Sequence, residues 1–201
     1  MSGVDRINSA ARKLPTWAVY IAGLLPIPVF FWMAATGQLG VEPINALERE
    51  YGELALKLLI AGLCITPMRR HLGLNLLKFR RALGLLAFAY VTAHFAVWAI
   101  LDVQSLERVW SDILKRPYVT VGMVAFLLLI PLAATSNNRA IRGLGTRWRL
   151  LHRLVYPAAL LAAVHFIWLS KGFQIEPLVY LGVIAVLLAL RAKTGRVLGR
   201  A

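Results

Sequence analysis

Four histidines carry the chemical promise of this 201-residue chain: His71, His94, His152 and His165. His94 and His165 fall inside long apolar runs, where an ionisable side chain is costly and calls for a reason. Helices rise about 1.5 Å per residue. If one starts at Ala82 and another at Leu150, His94 lies about 18 Å and His165 about 22 Å from the same membrane surface. Two imidazoles at one depth on neighbouring helices can ligate one haem iron axially. His152 stands thirteen residues before His165, about 20 Å lower and within about 60° of the same helix face. One face would then present a ligand near each membrane surface, which is what electron transfer across a bilayer requires.

Taken singly, a membrane histidine more often hydrogen-bonds a neighbouring helix and does nothing else. The matched depth of His94 and His165 lifts that pair above this reading. His152 is closer to an interface, and His71, in a basic loop, reads as solvated or, alternatively, as helping a cytoplasmic-side cofactor. Zinc fits less well, because its ligands cluster and no intramembrane Asp or Glu accompanies these histidines. No Ser or Cys nucleophile with a positioned base is visible. Cys64 is the only cysteine, so an intramolecular disulfide and a Cys-rich cluster are both excluded, and it reads as a small packing residue.

The elements that must hold these side chains are membrane helices. The chain is 59% hydrophobic with a mean hydropathy of +0.67, too apolar for a soluble domain of this size. A span needs about 20 mostly apolar residues, and six segments qualify: 15–36, 52–67, 82–101, 118–135, 150–170 and 177–190. The second and sixth are short. Pro26 and Pro28 predict a kink in the first, which reads as a retained helix rather than a cleaved signal. The expected fold is all-α, one polytopic transmembrane bundle over residues 1–201. Between the third and fourth spans, residues 103–116 place Leu106, Val109, Trp110, Ile113 and Leu114 at helical spacing. That predicts a short amphipathic helix on the outer surface, as an anchor or a docking surface.

The net charge of +14 does not point to nucleic acid, because only 16% of residues are charged and the basic ones sit in clusters between apolar runs. With the N-terminus inside, the cytoplasmic segments hold Arg6, Arg12, Lys13, Arg69, Arg70, Lys78, Arg80, Arg81, Arg139, Arg142, Arg147, Arg149, Arg191, Lys193, Arg196 and Arg200. The opposite loops hold only Arg49, Arg108, Lys115, Arg116 and Lys171, with nearly all the acids. The positive-inside rule therefore places both termini in the cytoplasm and the basic face against anionic lipid. Arg80, Arg81, Arg149 and Arg153 crowd the cytoplasmic end around His152. Topology alone explains them, and they also suit haem propionates or a flavin phosphate, which a guanidinium pairs bidentately. Trp98, Tyr118, Trp148 and Trp168 read as an aromatic belt. Glu53 precedes Lys57 by four residues, the favourable order for a helix ion pair. Lys57 could alternatively face a haem propionate or a quinone.

Several stretches together resemble one family. They are 24–26, Ile65-Thr66-Pro67, Arg80-Arg81-Ala82-Leu83-Gly84-Leu85, Thr92-Ala93-His94, Arg116-Pro117-Tyr118, 132–136, Leu144-Gly145 with Trp148, Leu151-His152, Val155-Tyr156, and His165 with Trp168. The chain resembles the MsrQ (YedZ) family, haem-binding membrane subunits of the bacterial periplasmic methionine sulfoxide reductase system, within the ferric-reductase-like transmembrane superfamily. The resemblance implies b-type haem, one or two, on His94 and His165 with His152 as a further ligand. It implies flavin on the cytoplasmic side, as FMN or through a flavin reductase, and electron supply from that reductase or the quinone pool. It also implies delivery to a periplasmic molybdopterin-containing subunit (MsrP-like) from the bacterial inner membrane. The superfamily pattern pairs histidines on both haem-bearing helices. Here Arg81 stands thirteen residues before His94, so the partner of His152 stays open.

Two other functions compete with an electron-transfer subunit. A self-sufficient ferric or quinone reductase would need soluble flavin and nicotinamide domains, which these residues do not supply. A transporter would show discontinuous helices around a polar midplane, whereas the midplane polarity here is mainly histidine.

Overall fold

The computed structural model describes residues 2–170 and 174–198, with 192–198 as helical backbone only. Lys171 and Arg200 of the charge pattern lie outside the described residues, as do the side chains of Lys193 and Arg196. The described chain is helical, without strands. Helix α1 (Gly3–Lys13) opens on a capping box in which the Ser2 hydroxyl and backbone amide hydrogen-bond the Asp5 carboxylate and hold its pKa below the usual carboxylate value. The first span is α2 (Thr16–Leu24) followed directly by α3 (Pro26–Ala35). The two meet at Leu25, where Pro26 and Pro28 remove amide donors, as the sequence predicts.

Helix α4 (Pro43–Leu72) is much longer than the expected 52–67. Its first two turns hold Glu48, Arg49 and Glu50, which lower the hydropathy without breaking the helix. It ends on Gly73, whose φ of +70° is the left-handed cap that glycine adopts at least cost. Helix α5 (Arg80–Ala96) runs into a π-helical segment, Val97–Val103, which Gln104 closes at φ +59°. The amphipathic segment is α6 (Leu106–Lys115), which turns Leu106, Trp110 and Leu114 outward and buries Val109. Next come α7 (Pro117–Ala134), two short helices α8 (Asn138–Leu144) and α9 (Thr146–Leu151), α10 (Val155–Leu169) and α11 (Ile175–Leu198). Among the described residues five helical segments are long and apolar enough to cross a membrane. The sixth expected span corresponds to α11.

Helix α4 is the hub. It packs on α3, α5, α10 and α11, while α7 lies against α5, α6 and α10. Small residues let the central helices close up: Ala55, Ala87, Ala158, Ala159 and Ala163 are all buried. Two buried tyrosines tie the first span to this core. Tyr51 donates to the Ile27 carbonyl at 2.6 Å and Tyr90 to the Gly23 carbonyl at 2.7 Å, their rings edge to face at 6.1 Å. Tyr90→Phe is expected to cost about 1 kcal/mol, the usual net value of one such bond. Thermal unfolding in detergent checks this, and an unchanged Tm would mean that the Tyr90 bond adds nothing to the hold on the first span.

The segment expected as one helix over 150–170 is interrupted. Residues His152–Leu154 form a 3-10 turn between α9 and α10. Pro157 supplies the reason, since its missing amide leaves the Arg153 carbonyl without a helical donor.

Candidate cofactor sites

Helix α5 carries His94 in its last turn, and α10 carries His165 within its final two turns. The sequence puts them at one depth, and the structure brings them next to each other, edge-on. Their ring centres are 6.3 Å apart and their planes cross at 82°. Each Nδ1 is anchored on another helix, His94 to the Glu48 carbonyl at 2.8 Å and His165 to the Tyr118 carbonyl at 2.7 Å. A carbonyl only accepts, so each Nδ1 must carry the proton. In the neutral ring the lone pair then sits on Nε2. Both imidazoles are therefore fixed in the tautomer a metal ligand needs, by the kind of partner that orients metal-bound histidines.

The spacing can be tested against metal ligation. An imidazole nitrogen lies about 2.0–2.1 Å from its metal, so two ligands on opposite sides of one ion put their ring centres about 6 Å apart. The observed 6.3 Å meets that condition. Both rings line one slot of about 180 Å3 with Tyr118, Phe95 and Phe126. The residues present fit a haem, which His94 and His165 would hold.

One wall of this slot is polar, which the sequence reading missed. Glu48, Glu53 and Glu176 all line it. These carboxylates come from the outer turns of α4 and α11, and among the described residues no group of three or more His, Cys, Asp and Glu could hold a metal ion. Glu53 forms the expected ion pair with Lys57 at 2.5 Å. The Tyr180 hydroxyl lies 3.2 Å from both Glu53 and Glu176, so its one proton is shared between two acceptors. The π-helical segment begins three residues past His94, and its Trp98 lines the slot as well.

A second cavity, of about 780 Å3, opens toward the basic end of the bundle. His152, Arg80, Arg81, Arg149 and Arg153 all line it, so the five residues expected around a cytoplasmic-side cofactor share one site. Its volume lies in the range of small-molecule and cofactor pockets. His152 is held locally rather than across helices: its Nδ1 donates to the Trp148 carbonyl, four residues earlier, at 3.0 Å. Its Nε2 is buried without a hydrogen-bond partner, an uncompensated polar atom that asks for a ligand. Trp148 departs from the aromatic-belt reading. It stacks on His152 with ring centres 3.8 Å apart and donates to the Thr135 carbonyl at 2.9 Å. Trp168 is 57% exposed. Arg81 donates to Asn138 at 2.9 Å, which ties the start of α5 to the start of α8. Lys78, also on the cavity wall, donates to the carbonyls of Arg12 and Leu14 and so fastens the end of α1 over this end.

The ferric-reductase-like transmembrane component family matches residues 51–163, a stretch that holds His94 and His152. Two proteins named protein-methionine-sulfoxide reductase heme-binding subunit MsrQ are similar over much more. The one from Brucella melitensis biotype 2 is 47% identical over 176 residues, and the one from Brucella ovis is 46% identical over the same length. Each match covers 87% of this chain and 80% of the relative. No solved structure matches the chain.

Proposed function

We propose a function from one premise: this chain belongs to the MsrQ family of ferric-reductase-like transmembrane proteins. On that premise it is the b-type haem subunit that carries electrons across the membrane for a protein-methionine-sulfoxide reductase. The carrying observation is the facing pair His94 and His165, with both Nδ1 protons committed to backbone carbonyls. A haem bound there supplies a one-electron couple. His94 and His165 would hold it from the two sides, and the Glu48 and Tyr118 carbonyls would fix both ring orientations. His152 and the four arginines would hold a second anionic cofactor near the cytoplasmic surface, a second haem through its propionates or FMN through its phosphate. The relatives' name supports a reductase partner. The account assigns that partner to the periplasmic side as an MsrP-like molybdopterin subunit, with a cytoplasmic flavin reductase or the quinone pool as donor and the bacterial inner membrane as location.

The test is optical. The purified chain should show a Soret band that sharpens and shifts on dithionite reduction, and it should be reoxidised by the periplasmic subunit in the presence of methionine sulfoxide. A folded but colourless protein would end this reading.

A further inference from the structure

Two glycines stand where the imidazoles meet their anchoring helices. A Cβ built on Gly52 would lie 3.1 Å from Nδ1 and 3.2 Å from Cε1 of His94. One built on Gly122 would lie 2.8 Å from Nδ1 and 2.9 Å from Cε1 of His165. Gly52 is four residues after Glu48, and Gly122 is four residues after Tyr118. The same device therefore occurs twice. A carbonyl accepts the histidine proton, and one helical turn later a glycine removes the Cβ that would push the ring edge away. In an α-helix the residue four places on also donates its amide to that carbonyl. Each carbonyl thus serves its own helix and the imidazole together, and the imidazole can approach only because the glycine is bare.

We propose that Gly52 and Gly122 are positioning residues for the two axial ligands: each sets the ring orientation and the Nε2 direction of the histidine it faces. The inference rests on the haem reading above and adds residues to it. Glycine in a helix interior costs about 0.5–1 kcal/mol relative to alanine, so bare positions at these two contacts need a packing reason, and the imidazoles provide one. The contacts also rank the two sites. A new Cβ at position 122 would come closer than 3.0 Å to a ring fixed by its hydrogen bond and its helix, so that ring must move. At position 52 a shift of a few tenths of an ångström would suffice.

The experiment compares Gly122→Ala, Gly52→Ala and Gly182→Ala in the full chain purified in detergent. Gly182 lies on α11, and a Cβ there meets nothing within 4 Å, so it reports on the general effect of alanine in a membrane helix. Haem-to-protein ratio, ferric spin state, carbon monoxide binding by the reduced protein and midpoint potential are read for each. Gly122→Ala should lose haem affinity by about 10- to 100-fold, the range for disturbed outer-shell partners of metal ligands. The haem it retains should be partly high-spin and open to carbon monoxide. Gly52→Ala should stay mostly low-spin with a displaced potential, and Gly182→Ala should match the unsubstituted chain. If both Gly122→Ala and Gly52→Ala match it too, the inference is overturned while the histidine reading stands. If the unsubstituted chain holds no haem, the reading beneath is overturned instead. Should Gly122→Ala not accumulate in the membrane, Gly52→Ala carries the decision by its potential and spin state.

Discussion

Alanine in place of either His94 or His165 is expected to abolish stable haem binding at the outer site. Under the proposed function each ring would supply one of the two nitrogens that hold the haem. Of the carboxylates that line the slot, Glu53 is engaged with Lys57 and Tyr180, and Glu176 with Tyr180. The loss should exceed the 10- to 100-fold that follows from disturbing an outer-shell partner alone. Removing either ring also leaves a backbone carbonyl, Glu48 or Tyr118, without its second donor, which adds a smaller stability cost of about 1 kcal/mol. The check is haem content per protein after purification, with circular dichroism to show that the helices persist. Equal haem content in both variants and the unsubstituted chain would remove these residues from the site.

His152→Ala should behave differently, and the contrast is informative. Its cavity is separate, so the spectrum and potential of the outer site should be unchanged. Electron entry from the cytoplasmic side should fall sharply if His152 helps to hold a cofactor there. Reduction by a cytoplasmic flavin reductase with its nicotinamide substrate measures this. Dithionite, which needs no route through the cavity, should still reduce the outer site fully. If enzymatic reduction proceeds at the unsubstituted rate, His152 and the arginines around it serve topology only.

The histidine pair was legible because helical rise is constant: counting residues from a helix start gives depth, and depth was the one coordinate needed. The arginine cluster was legible for a related reason. Basic residues gather at one set of helix ends in the sequence, so Arg80, Arg81, Arg149 and Arg153 were expected near the start of the His152 helix, and all of them line one cavity with His152. Less visible was the upper part of α4. Its Glu48, Arg49 and Glu50 look like a loop to a hydropathy count, yet they continue the helix and bring the Glu48 carbonyl to His94. The 3-10 turn at His152 was announced only by Pro157, which a hydropathy count passes over. Trp148 has an interfacial position in the chain, and its stacking on His152 depends on how α9 folds back. Gly52 and Gly122 left no signal at all, because a lone helical glycine records only what is missing from its own position, and what fills that space comes from another helix.

The account stands most directly on the claim that His94 and His165 ligate one haem with their ring planes nearly perpendicular, at 82°. Low-temperature EPR of the oxidised, purified chain tests it. Perpendicular imidazole planes leave the iron orbitals almost degenerate, so the expected signal is strongly anisotropic and low-spin, dominated by one low-field feature and absent from His94→Ala and His165→Ala. A purely high-spin ferric signal in the unsubstituted chain, or a low-spin signal that survives both substitutions, would contradict it.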